Sequence, residues 1–300
     1  MQNARLFNYL HLHVIVFIWG FTAVLGALIS IDAIPLVWFR MLLATGFILF
    51  FLLIRRINLR HTKKALAGFF IAGVLIALHW LAFFGAIKVS NVSVTLAVMS
   101  TGAFFTSFLE PLYYRRRIIG YEVLFGLLVV VGLYIIFQFE TGYAMGILLA
   151  LCSSFLGSLF SVINGKMAKR HRASVISFYE LFFGTLCISI FLLFNGDLTS
   201  EFFQLSSNDW IYLLILATVC TAYAFIASIH VMKWLSPYTV MLTINLEPVY
   251  GILLALFILG DSENMSPQFY YGALIILVTV LANGVVKTRR TIKKQAKESN

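Results

Sequence analysis

Runs of about 20 apolar residues recur along nearly the whole chain, separated by short polar or charged stretches. A hydrocarbon core of about 30 Å is crossed by about 20 residues of α-helix, so each run is long enough to span a bilayer. Ten spans are predicted: Leu10 to Ser30, Pro35 to Ile54, Leu66 to Ile87, Val92 to Leu112, Ile119 to Phe137, Gly142 to Ile163, Val175 to Phe194, Trp210 to Met232, Pro237 to Leu259 and Tyr270 to Val286. The runs are continuous, whereas strands of a membrane barrel alternate over about ten residues, and this excludes a barrel. Composition agrees, because a chain that is 61% hydrophobic and 11% charged has too little polar surface to cover a soluble globule. No stretch is left over for a separate soluble domain. Arg5 and the apolar run after it could pass for a secretory signal, but the run is too long for one and another full span follows within a few residues. It reads as the first helix.

The net charge of +10 is distributed unevenly. With alternate loops assigned to one side, 20 of the 22 lysines and arginines fall on the side that holds both termini, chiefly in Arg55–Lys64, Arg115–Arg117, Lys166–Arg172 and the stretch after Lys287. Glu122 and Glu298 are the acids of that side. The opposite loops carry Lys88 as their one base, against Asp32, Glu140, Asp197, Glu201, Asp209, Asp261 and Glu263. Such a split is the positive-inside pattern; it places both termini in the cytoplasm and requires an even number of spans. The expected location is the plasma membrane, the inner membrane in a bacterium. The basic loops lack interleaved aromatics or a recognition module, so nucleic acid is not an expected partner. Residues 287–300 are expected as a solvated basic tail near anionic headgroups. Cys152, Cys187 and Cys220 all fall inside spans, where small buried packing residues are expected rather than disulfides or metal ligands. Neither a metal nor a cofactor is called for.

Setting Lys88 on Lys233 aligns NVSVTLAVMSTGAFFTSFL with SPYTVMLTINLEPVYGILL, and one inserted residue later Gly126 falls on Gly272. The halves run from about 1 to 138 and from 142 to 286, five spans each. An odd number of spans turns the second half upside down relative to the first. Loop charge follows: Arg115–Arg117 come after the fourth span, whereas Asp261 and Glu263 come after the ninth. The expected fold class is an all-α polytopic membrane protein, ten transmembrane helices in two inverted five-helix repeats.

Four features carry a resemblance: VIVFIWGFTAVLG opening the first span, an arginine early in the second at Arg40, FFGAIKVSNVSVTLA leading into the fourth, and NLEPVYGILLALFILGD in the ninth. In their order and spacing the chain resembles the drug/metabolite transporter superfamily of EamA type, over both halves. The resemblance implies a ten-helix inverted-repeat carrier with a central cavity, moving metabolites, often outward, with the fifth and tenth helices peripheral. One departure stands out. The mid-helix proline of the family is Pro248 in the second half, but the first half has Ser100, Thr101 and Gly102 at the aligned place.

An ionisable group within a span costs about several kcal/mol and is a functional candidate by default. Glu247 lies near the middle of the ninth span beside Pro248, which lacks an N–H and leaves the Ile244 carbonyl without its helical partner. With Asn245 it makes a polar, kinked segment at the depth where carriers hold substrate. His79 and Trp80 share the third span; imidazole exchanges a proton near neutral pH, and indole offers a flat face and one donor. Arg40 can receive a carboxylate bidentately, snorkel outward or pair with an acid. Trp19 and Tyr223 lie near mid-depth and are cavity-wall candidates. These seven residues form the expected substrate site, with His79 and Glu247 as proton-coupling candidates. Ser153 and Ser154 are expected to pack, and Glu180 to pair with Arg170 or Arg172 near the interface.

The expected function is a secondary carrier exporting small organic metabolites such as amino acids, by alternating access between the repeats. GxxxxGK[ST] does not occur, so ATP does not drive it directly. An intramembrane enzyme is a second reading, against which stands the lack of HExxH, GxSxG and GxGD. A channel or membrane scaffold is a third. The partners are a small-molecule solute and the lipid bilayer, and the oligomeric state is open, a monomer included.

Overall fold

The computed structural model describes residues 2–115, 117, 120–235, 237–244 and 246–298. All of its regular structure is helical. The helices are α1 (Gln2–Leu28), α2 (Ala33–Ile54), α3 (Lys63–Val89), α4 in two pieces (Val92–Met99 and Gly102–Tyr113), α5 (Gly120–Phe139), α6 (Ala144–Met167), α7 (Ala173–Asn195), α8 (Ser207–Val231), α9 in two pieces (Pro237–Ile244 and Glu247–Leu259) and α10 (Pro267–Glu298). Among the described residues eight of the ten are long and apolar enough to cross a membrane, α4 being counted across its break; α5 offers the shorter apolar stretch Leu124–Phe139, and α9 is interrupted. α10 runs on through the basic stretch to Glu298, beyond the apolar span Pro267–Val286, with no glycine or proline after Gly284. Phe50, Phe194 and Phe257 are among many large apolar side chains left exposed on the outside, as lipid rather than water requires.

The packing is nearly unchanged when each helix is exchanged for the one five places along. α3 packs on α6 as α8 packs on α1; α3 on α7 as α8 on α2; α1 on α9 as α6 on α4. The pairs α2 with α7, α4 with α9 and α5 with α10 map onto themselves. Since α1 and α6 cross in opposite directions, the repeats are inverted. α5 and α10 lie chiefly against each other at the margin, so close that a Cβ on Gly272 would stand 2.8 Å from the Gly132 carbonyl oxygen.

Both broken helices break at the same place. Under the register that sets Lys88 on Lys233, the interruption between Met99 and Gly102 falls on the one between Ile244 and Glu247. Pro248 starts the second piece of α9, where its missing N–H is no loss. The first half reaches the same break without proline. Ser100 Oγ donates to the Ala97 carbonyl at 2.5 Å and Thr101 Oγ1 to that of Val98 at 2.8 Å, competing with the helix for its own acceptors. The hydroxyls of Thr101 and Ser154 on α6 lie 2.9 Å apart and share a hydrogen bond.

Candidate functional site

A cavity of about 100 Å³ lies between the two halves, beside both helix breaks. It is walled by Trp19 and Thr22 of α1, Arg40 of α2, His79, Trp80 and Phe83 of α3, Met99 of α4, Ser154, Gly157 and Phe160 of α6, Phe225, Ser228 and neighbouring Met232 of α8, and Met241 and Glu247 of α9. At about 30 Å³ per water the space suits a few waters or one small solute.

Arg40 does not snorkel; it is 1% exposed. Its Nε donates to Thr221 Oγ1 at 2.6 Å, and the guanidinium carbon lies 3.9 Å from the Trp80 ring centroid, a cation–π stack in a desolvated setting. Nη1 is buried with no hydrogen-bond partner. A guanidinium nitrogen left bare in such a place is a strong site for an oxygen anion. Glu247 faces the same cavity, near enough for the two charges to attract.

His79 has a fixed tautomer. Its Nδ1 lies 2.8 Å from the Ser153 carbonyl, which can only accept, so Nδ1 carries the proton. Ser153 Oγ in turn donates to the His79 carbonyl at 2.9 Å. The ring lines the cavity, and in its neutral form Nε2 is the acceptor. Gly157 gives the ring its seat, since a Cβ there would stand 3.0 Å from Cε1 and Nδ1.

Five of the seven predicted residues therefore meet: Trp19, Arg40, His79, Trp80 and Glu247. Tyr223 does not. It follows Thr221 by two residues, about half a turn around the helix, and points outward, where its hydroxyl bonds His11 Nε2 at 2.8 Å. Asn245 lies outside the described residues. Thr221, Phe225, Ser228 and Met232 share one face of α8 by their helical spacing, a signal in the sequence that depth alone does not use. Among the described residues no group of three or more His, Cys, Asp or Glu is placed to hold a metal ion.

The profile of the EamA-like transporter family matches residues 7–138 and 144–284. The chain belongs to that family. An uncharacterized transporter of Clostridium kluyveri is 25% identical over 245 residues, covering 79% of this chain and 76% of the relative. A solved crystal structure shares the fold with a TM-score of 0.69 at 16% identity, covering 95% of this chain and 99% of its own. EamA-like proteins are carriers and not enzymes, so the intramembrane-enzyme reading falls away.

Two expectations are corrected within this EamA frame. Glu180 is fully buried and accepts from Asn164 Nδ2 at 2.9 Å instead of reaching Arg170 or Arg172, because it faces α6 and not the loop. Cys152 is exposed on the outward face of α6 rather than buried, while Cys220 is buried as expected.

Proposed function

We propose that this protein is a secondary carrier that exports small organic metabolites such as amino acids, by alternating access between its two inverted repeats. The observation that carries the reading is Arg40, whose Nη1 is buried and unpartnered and whose side chain lines the same cavity as Glu247. A carboxylate on Arg40 and an ammonium on Glu247 would satisfy both charges at once, and the walls of Trp80, Phe83, Phe160 and Met241 suit an apolar side chain. His79 Nε2 and the Glu247 carboxyl are the groups able to exchange a proton during the cycle. Both termini lie in the cytoplasm in this reading, and the membrane is the plasma membrane or its bacterial equivalent.

Proteoliposomes loaded with each L-amino acid in turn should show counterflow of the labelled form for a subset with apolar side chains. Folded protein that exchanges none of them would remove the amino-acid reading, and flux without counterflow would favour a channel. Cysteines introduced at Asn58 and Ser207 should label from opposite sides of the membrane; labelling from one side only would overturn the topology.

A further inference from the structure

α8 departs from α-helical geometry at one place, a π-helical turn from Thr218 to Tyr223. Such turns are rare and recur at functional sites. Nothing in Ser207–Val231 forces it, since the segment has neither glycine nor proline. Two side chains instead bond carbonyls in and just before it, Trp19 from the cavity wall and Thr221 of the turn itself. Trp19 Nε1 donates to the Cys220 carbonyl at 3.3 Å from across the bundle. Thr221 Oγ1 donates to the Leu216 carbonyl at 2.7 Å, five residues back, where a threonine in a regular helix bonds three or four back. Having given up its one proton there, the hydroxyl can only accept, and what it accepts is the Arg40 Nε proton at 2.6 Å. Thr221 is 0% exposed, so no water competes for the place.

We infer that Thr221 is a positioning residue for the solute: it fixes Arg40 through Nε, so that the guanidinium stays over the Trp80 ring and Nη1 is the nitrogen offered to the carboxylate. This rests on the reading of Arg40 as the carboxylate ligand. The π turn supplies the aim. Each residue of a helix turns the side-chain direction by about 100°, so narrowing the turn by one residue would swing Thr221 off Arg40 and loosen the anion site. α8 thereby ties the hold on the solute to its own shape.

The full chain in proteoliposomes, probed with L-leucine counterflow, tests this with Thr221→Val, which keeps the shape and removes the hydroxyl, and with Thr221→Ser. Thr221→Val should raise the half-saturating concentration about 10-fold with the maximal rate within about 2-fold, as expected for losing one bond to a charged group. Thr221→Ser should restore the wild-type value. An unchanged half-saturation, or a serine variant as weak as the valine one, overturns the proposal. Thermal unfolding of wild type, Thr221→Val, Arg40→Ala and the double variant gives a second reading without solute: because Thr221 also bonds the Leu216 carbonyl, the double variant should lose less than the sum of the two single losses, and fully additive losses overturn the proposal. If the wild type carries no L-leucine, the apolar amino-acid reading fails on its own, and this cycle still decides whether Thr221 acts through Arg40. Should Thr221→Val not fold, Thr221→Ala takes its place with the same expectations.

Discussion

The Asp209 carboxylate accepts two hydrogen bonds from Ser30, one from the backbone N–H and one from Oγ, each at 2.7 Å, tying the end of α1 to the start of α8. Lys88 donates to the carbonyl of the preceding Ile29, and Glu263 accepts from the backbone N–H groups of Val92 and Ser93 at 3.1 and 2.8 Å, capping the start of α4. The Asp209 and Glu263 ties join the two repeats at the end of the bundle where the acidic loops lie, and the Lys88 bond braces the first repeat beside them. The cavity extends the other way, towards Phe160, Met232 and Met241. A clasp at one end with a cavity reaching for the other is the arrangement of a carrier closed on one side.

Asp209→Ala should loosen that clasp. Hydrogen bonds to a charged group are worth about 1.5–3 kcal/mol each, so the thermal midpoint in detergent should fall by several degrees. A cysteine placed at Thr22 in the cavity wall, with the native cysteines replaced, should also react faster with an impermeant thiol reagent added from the acidic side. Equal reaction rates with and without Asp209 would mean that the clasp does not close that end.

Glu180 tests a different kind of buried acid. Its Oε1 takes the Asn164 amide proton, while Oε2 has no partner and no exposure. An ionised carboxyl so placed is expensive, and an amide of the same shape keeps a partner for Asn164. Glu180→Gln should therefore raise the thermal midpoint or leave it unchanged, and Asn164→Ala should lower it. Transport should survive Glu180→Gln, because the side chain does not line the cavity; loss of transport with intact folding would assign Glu180 a role in the cycle.

Much of this architecture was legible in the residues. Helix number and inversion follow from apolar run length and loop charge, two signals the bilayer imposes on any chain. The register of Lys88 on Lys233 even locates the paired breaks, because Met99 and Ile244 end their helix pieces at aligned positions. What the sequence hid was direction. Arg40 reads equally well as a snorkelling or a buried arginine until its neighbours are known, and they come from two other helices, Trp80 from α3 and Thr221 from the distant α8. Depth alone puts Tyr223 at the cavity, whereas the face of the helix it occupies turns it outward. Nearness in sequence pairs Glu180 with the basic loop, whereas its partner Asn164 lies on another helix.

His171 lies outside the spans, in the loop between α6 and α7, facing His61 with ring centroids 5.3 Å apart and Phe69 at 5.2 Å. Partial burial, then the nearby His61 and Arg170, hold its pKa below the ordinary histidine value of about 6.5. The folded state thus binds fewer protons here than the unfolded chain. Stability rises with pH across the window from the lowered value up to about 6.5, and is lost on acidification through it. The thermal midpoint should drop between pH 7 and pH 5, and His171→Asn should make that drop shallower. An identical pH slope in the variant would show that the histidine pair does not set it.

The coupling groups are distinguished by two isosteric replacements. Glu247 and His79 face the same cavity, and the fixed tautomer of His79 leaves Nε2 free to take a proton while Nδ1 stays bonded to Ser153. Either group can carry the proton that accompanies a solute, and the two make opposite demands on the variants. A glutamine at 247 copies the protonated carboxyl, so if Glu247 carries the proton, Glu247→Gln should abolish proton-driven movement yet spare counterflow, which needs no net proton transfer. In that case His79→Gln stays driven. If His79 carries it, the pattern reverses, with His79→Gln losing the drive and Glu247→Gln keeping it. The comparison is made in proteoliposomes with and without an imposed pH gradient, at matched protein content. Full proton-driven transport in both variants would exclude this pair from coupling, and would leave His79 as a bonded wall residue and Glu247 as the partner of a cationic group on the solute.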